Sequence, residues 1–166
     1  MKSEKILQIL EEGLTPVEMN FQEDDWRAAI PSKPGWYFIE TDTPPEVLED
    51  VGPPIGQRHY NIPEKVKTSL FLKKYRACIL PTDNPFYFVY SGEAKNLKAR
   101  AREHMSGHHK TGCLALEKYT PLYNNKWKFH FALCPDIDDL NESKILRTYG
   151  EQIWRAKYGW PILCGK

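Results

Sequence analysis

The chain has 166 residues, 41% of them hydrophobic, enough to bury one sizeable core, so one domain spanning 1–166 is expected. With 23 Lys and Arg against 22 Asp and Glu, its net charge is only +1, which excludes an overall basic field as the means of attracting nucleic acid and leaves that to a local patch. No run of about 18 apolar residues occurs, residues 1–12 show no export pattern, and Cys78, Cys113, Cys134 and Cys164 lack a Cys-x-x-Cys spacing; a cytoplasmic protein with reduced thiols and no membrane contact is expected.

Ser3 is placed to cap a short helix whose apolar residues Ile6, Leu7, Ile9 and Leu10 recur at helical spacing up to Gly13. It reads as a lid or brace. Residues 15–33, with Pro16 and Pro31, read as irregular apart from a turn of helix near 24–29. Residues 35–41 predict a strand, Trp36 and Phe38 on one face and Tyr37 and Ile39 on the other. Pro44, Pro45, Pro53, Pro54 and Pro63 predict a loop over 43–63, because proline blocks regular helix and central strand alike. Residues 64–74 predict a short helix with Val66 and Leu70 inward. Residues 76–80 and 86–90 then read as a hairpin around residues 81–85.

After Gly92, Asn96 is a good N-cap, and Leu97, Ala101 and Met105 form one apolar stripe four residues apart. Arg100 and His104, also four apart, lie about 80° round from that stripe and are expected to point together into a cleft. Residues 125–133 predict a strand with Trp127, Phe129, Phe131 and Leu133 alternating, and Asp138 or Asp139 caps a helix over 140–158. Its apolar stripe reads as Ile145, Tyr149, Ile153 and Ala156, which puts Glu151 nearly opposite, on the exposed side, unless Trp154 and a bend at Gly150 bring that side under cover. Charges are segregated: residues 95–110 hold Lys95, Lys98, Arg100, Arg102 and Lys110 against Glu103 alone, whereas 40–50 hold five acids and no base.

The string Tyr90-Ser91-Gly92 leading into Ala94-Lys95-Asn96-Leu97, Arg100 and His104, the earlier Gly35-Trp36-Tyr37, and Glu151 followed by Cys164 together resemble the GIY-YIG nuclease family. The match covers residues 34–40 and 86–106 well and 142–164 loosely. It implies an α+β fold, a small central antiparallel sheet flanked by helices, with residues 41–85 as an insertion where simpler members have a short turn. It also implies an Mg²⁺-dependent (or Mn²⁺-dependent) endodeoxyribonuclease of the stand-alone restriction or phage type. Tyr37 would act as base or relay, with Tyr90 orienting water and phosphate. Arg100 would hold the phosphate, with His104 as second donor or proton carrier, and Glu151 would be the metal ligand. Ser91 departs from the usual aliphatic residue, and Cys164 stands where the family has Asn.

Lys73, Lys74 and Arg76 in the insertion, with Lys95, Lys98 and Arg102 beside the motif, are the expected contacts to DNA phosphates. A palindromic target would favour a homodimer. Each of these residues also has a plainer reading. Trp36, Tyr37, Phe38, Phe86, Tyr87, Phe88 and Tyr90 are ordinary strand core when taken singly, and basic helix faces are commonly just solvated. His104, His108, His109 and Cys113 suggest zinc, but at no standard ligand spacing. A catalytically silent module that only binds nucleic acid or protein is the alternative function.

Overall fold

A computed structural model describes residues 1–56 and 60–165; positions 57–59 of the expected insertion lie outside the described residues. In chain order the elements are helix α1 (Ser3–Glu12), strands β1 (Thr15–Glu18) and β2 (Gly35–Thr41), helices α2 (Pro45–Asp50) and α3 (Ile62–Leu72), strands β3 (Cys78–Ile79) and β4 (Tyr87–Ala94), helix α4 (Leu97–Ser106), strand β5 (Trp127–Leu133), helix α5 (Leu140–Tyr158) and strand β6 (Trp160–Pro161). The chain is α+β, built on an antiparallel sheet in the order β1-β5-β2-β4. No helix among the described residues is long and apolar enough to cross a membrane.

The alternation in β2 sorts the core into two layers. Tyr37 and Ile39 pack with Val89, Phe129 and the Leu97, Ala101 and Met105 stripe of α4, while Trp36 and Phe38 pack with Ile6 and Leu10 of α1 and Trp154 of α5. The sheet therefore separates an α4 face from an α5 face. β4 is its outer strand and carries a bulge. Ile39 pairs with Tyr90 but Glu40 with Phe88, so Val89 is an extra residue. Such a bulge re-aims side chains, and here it places Tyr90 on the α4 face with Tyr37.

Several elements differ from the sequence expectations, each for a local reason. Ser3 lies inside α1, whose N-cap is Lys2 without a side-chain bond; the Ser3 hydroxyl instead meets the Tyr149 phenol at 2.7 Å. Residues 15–18 are a strand despite Pro16, which an edge strand tolerates because one row of its N–H groups faces outward. Pro45 starts α2 instead of blocking it, since the first helical turn needs no N–H there. β3 forms no hairpin with β4; it pairs in parallel with β6, Cys78 opposite Trp160.

Helix α3 packs Ile62 and Val66 into the core, and the Ser69 hydroxyl donates to the Ile162 carbonyl at 2.7 Å. Helix α3 thus ties down the C-terminal segment.

The largest departure is the face of α5. Asp139 caps the helix by accepting from the N–H groups of Asn141 and Glu142 at 2.8 and 2.9 Å, but most of the expected stripe points outward, Ile145 being 69% and Tyr149 44% exposed, and only Ile153 packs partly against the core. The inward face carries Ser143, Arg147, Gly150, Trp154 and Arg155. Gly150 sets this rotation. A Cβ there would lie 2.6 Å from the Trp36 indole nitrogen, which donates to the Arg147 carbonyl at 2.7 Å.

Candidate active site

Tyr37 projects from β2 opposite Gly92 of β4. Only glycine fits at 92, because a Cβ would come within 2.3 Å of the Tyr37 hydroxyl. From α4, held in register by the Asn96 side chain accepting from Ala99 N–H at 2.9 Å, two groups reach that hydroxyl. Arg100 donates through Nε at 3.0 Å, and His104 Nε2 lies at 2.9 Å. The histidine tautomer follows from its other side: Leu114 N–H donates to Nδ1 at 3.2 Å, so the ring proton is on Nε2 and is donated to Tyr37. The Tyr37 oxygen accepts two hydrogen bonds, and its own proton remains to be donated.

Two donors favour a phenolate, but burial opposes one. Burial first, and then Tyr90, push Tyr37 well above its ordinary value of 10.0, against the pull of Arg100. Burial wins, and the resting group is a neutral phenol. Burial, with Cys164 nearby, also pushes Tyr90 up to about 12. His104 is 0% exposed and, by burial and then by Arg100, is held well below 6.5. It does not point into a cleft as expected; it is a neutral donor behind Tyr37.

Each nitrogen of Arg100 has a partner. One terminal nitrogen donates to Glu103 at 2.7 Å and the other to the Gly112 carbonyl at 2.8 Å. Glu103 is itself steadied by Thr111 at 3.1 Å.

On the opposite face, positions 143, 147, 151 and 155 of α5 form a ladder of Ser, Arg, Glu and Arg one turn apart. Arg147 donates through Nε to Glu93 at 2.6 Å and through a terminal nitrogen to Ser143 at 2.6 Å. Arg155 ion-pairs with Glu151 Oε1 and donates to the hydroxyl and carbonyl of Ser91 at 2.9 and 3.2 Å.

Glu151 therefore lies half-buried on the inward side. Burial raises it above the ordinary carboxylate value, Arg155 lowers it, Glu93 raises it further and Arg100 lowers it. It feels Arg100, and Tyr37 and Tyr90 feel it, so the two faces communicate around β4. The C-terminal segment covers part of that strand: Leu163 N–H donates to the Val89 carbonyl at 2.9 Å and Ser91 N–H to the Cys164 sulfur at 3.2 Å. Beyond Ser91 lies a cleft of about 800 Å³ whose lining includes Glu93, Lys95, Arg100, Glu103, Lys144 and Arg147.

Of the expected phosphate contacts, only Lys95 lines this cleft. Lys98 and Arg102 line a separate hollow beside Asp24 and Arg27. Lys73 and Lys74 are exposed, and Arg76 anchors the tail, donating to the Gly165 carbonyl at 3.3 Å and stacking 4.8 Å from the Trp160 ring.

Glu93, Lys144, Arg147 and Arg155 were missed by sequence reasoning. For Arg147 and Arg155 the four-residue ladder of polar residues in α5 was the available signal, but an apolar-stripe criterion turns such a ladder outward; Glu93 and Lys144 lie outside it.

Among the described residues no group of three His, Cys, Asp or Glu converges as a ready metal cage; the His108 ring stacks on His109, 4.8 Å apart, and its Nδ1 accepts from Lys110 N–H at 3.2 Å. Magnesium at phosphate-processing sites needs one or two carboxylates completed by water and phosphate. Glu151, with one oxygen on Arg155, fits that sparser requirement. No protein-family model, curated protein or solved structure matches this chain.

Proposed function

We propose that the chain is a divalent-metal-dependent endonuclease of GIY-YIG type acting on DNA. The observation that carries this reading is the Tyr37 hydroxyl, which receives Arg100 Nε at 3.0 Å and His104 Nε2 at 2.9 Å, with Tyr90 on the same face and Glu151 in electrostatic reach. A core tyrosine needs one partner; a tyrosine with two donors and a spare proton is suited to relaying one.

In this reading Arg100 exchanges the Gly112 carbonyl for phosphoryl oxygens and stabilises the charge that develops on them. Tyr37 passes its own proton to a phosphoryl oxygen, from which the departing oxygen takes it. It accepts one from the attacking water on the lone pair that Arg100 vacates as it turns to the phosphate, while His104 holds the Tyr37 oxygen in place. Tyr90 lines the approach from the same face. Lys95 and Lys144 attract the backbone into the cleft. A cation held by Glu151 would lower the pKa of a bound water and neutralise phosphate charge.

Plasmid cleavage with Mg²⁺ and with a chelator tests the proposal. The wild type should cut only with the metal, and Glu151→Gln should lose cutting while still retaining DNA in a mobility-shift assay. Wild-type cutting by Glu151→Gln would overturn the assignment of the carboxylate.

A second reading, a module that binds without cutting, is favoured by the engagement of Arg100 with Glu103 and Gly112 and by Cys164, whose thiol burial holds neutral. Retention of DNA without cutting in any divalent metal would select it.

A further inference from the structure

Arg155 is a charged side chain only 7% exposed, and its surroundings fix the guanidinium plane on several sides. Nε lies on the Ser91 hydroxyl at 2.9 Å and a terminal nitrogen on the Ser91 carbonyl at 3.2 Å. The same terminal nitrogen meets Glu151 Oε1, and the Trp160 ring lies 5.5 Å away. The seat is itself secured, because Ser91 N–H donates to Cys164 Sγ. The two positions where this chain departs from the family pattern thus touch each other, and Ser91 carries Arg155. An aliphatic residue at 91 would keep the carbonyl but has no hydroxyl to seat Nε, so Ser91 and Arg155 function as a matched pair.

We infer that Arg155 is a positioning residue: seated on Ser91, it holds the Glu151 carboxylate by one oxygen and leaves the other oxygen for a divalent cation. The inference rests on the reading of Glu151 as a metal ligand and adds residues which that reading does not contain. A planar fork is required, since a lysine ammonium is a point charge that cannot span Ser91 and Glu151 in one geometry. The buried pair is matched in charge, so losing either partner strands the other.

Mn²⁺ titration of the full chain, followed by electron paramagnetic resonance, tests this without relying on turnover. Ser91→Ala keeps the backbone carbonyl but removes the hydroxyl seat, and should weaken Mn²⁺ binding about threefold to tenfold with little change in thermal midpoint. Ser91→Thr, which restores a hydroxyl, should recover most of it. Arg155→Lys should weaken binding at least as much, and Glu151→Gln should abolish it.

If the wild type binds and Glu151→Gln does not, unchanged binding in Ser91→Ala overturns the positioning role alone. Tighter binding in Ser91→Ala also overturns it, because Arg155 would then be a competitor of the cation. If Glu151→Gln binds Mn²⁺ like the wild type, the carboxylate assignment fails, and the positioning role fails with it.

Discussion

The Tyr37 hydroxyl is held by an always-charged arginine and a histidine kept neutral by burial, and these two donors answer to different perturbations. Arg100→Lys keeps the charge but cannot donate to Tyr37, Glu103 and Gly112 together, so under the proposed nuclease function cleavage should fall by about 10² to 10³, the usual cost of one transition-state donor. Nicking rates beside thermal midpoints check this; a large fall in midpoint with the rate kept would make Arg100 structural.

His104 gives a pH signature. Its folded pKa lies well below 6.5, because burial and then Arg100 disfavour the imidazolium, so below about pH 6.5 the unfolded chain takes up a proton that the fold refuses. Stability should be level above that pH and fall below it by up to about 1.4 kcal/mol per pH unit. His104→Gln should flatten this slope in urea titrations between pH 7 and 5, and an unchanged slope would mean that other groups carry it.

At the scale of elements, α5 is the instructive case. Ile145 reads as core in the sequence but is 69% exposed, so Ile145→Ala should alter stability by less than about 0.5 kcal/mol. Gly150 reads as a weak point where alanine would help by about 1 kcal/mol on helix propensity. The structure reverses that sign. An added Cβ would lie 2.6 Å from the Trp36 indole, and moving the indole breaks its bond to Arg147. Gly150→Ala should lower the thermal midpoint by several degrees, whereas an unchanged or higher midpoint would show that the helix slides to make room. By contrast, the ends of both long helices beside the site were legible, because Asn96 and Asp139 satisfy the first N–H groups with their own side chains. A cap depends only on neighbours in sequence.

For the whole molecule, charge location matters more than net charge. The basic residues counted together in the sequence fall on separate surfaces: Lys95 lines the cleft, Lys98 and Arg102 line a second hollow, and Lys73 and Lys74 lie at the end of α3 within residues 41–85. Arg76 is an anchor of the tail. If the insertion contacts DNA, Lys73→Ala with Lys74→Ala should weaken binding and reduce its salt slope by about 2, since each lost phosphate contact keeps one counterion in place. Arg76→Ala should instead lower the thermal midpoint. A slope unchanged by the double substitution would leave the insertion as a brace for β6 and the C-terminal segment.

The sequence by itself determined the β2 strand and its two faces, the α4 stripe with Arg100 and His104 on one side of it, and the caps at the starts of α4 and α5. These follow from periods of two and 3.6 residues and from capping chemistry, which are set within a few neighbours. Only the tertiary structure decided that Val89 bulges to bring Tyr90 beside Tyr37, that β3 pairs with β6, and that α5 turns its polar ladder inward. Burial in those places depends on distant partners: Ile39 and Glu40 across the sheet, Trp36 against Gly150, and Ser91 and Glu93 facing Arg155 and Arg147. A helix face whose charges are each matched by a partner on a strand is as buriable as an apolar one, and no periodicity within the helix reveals that the partner is there.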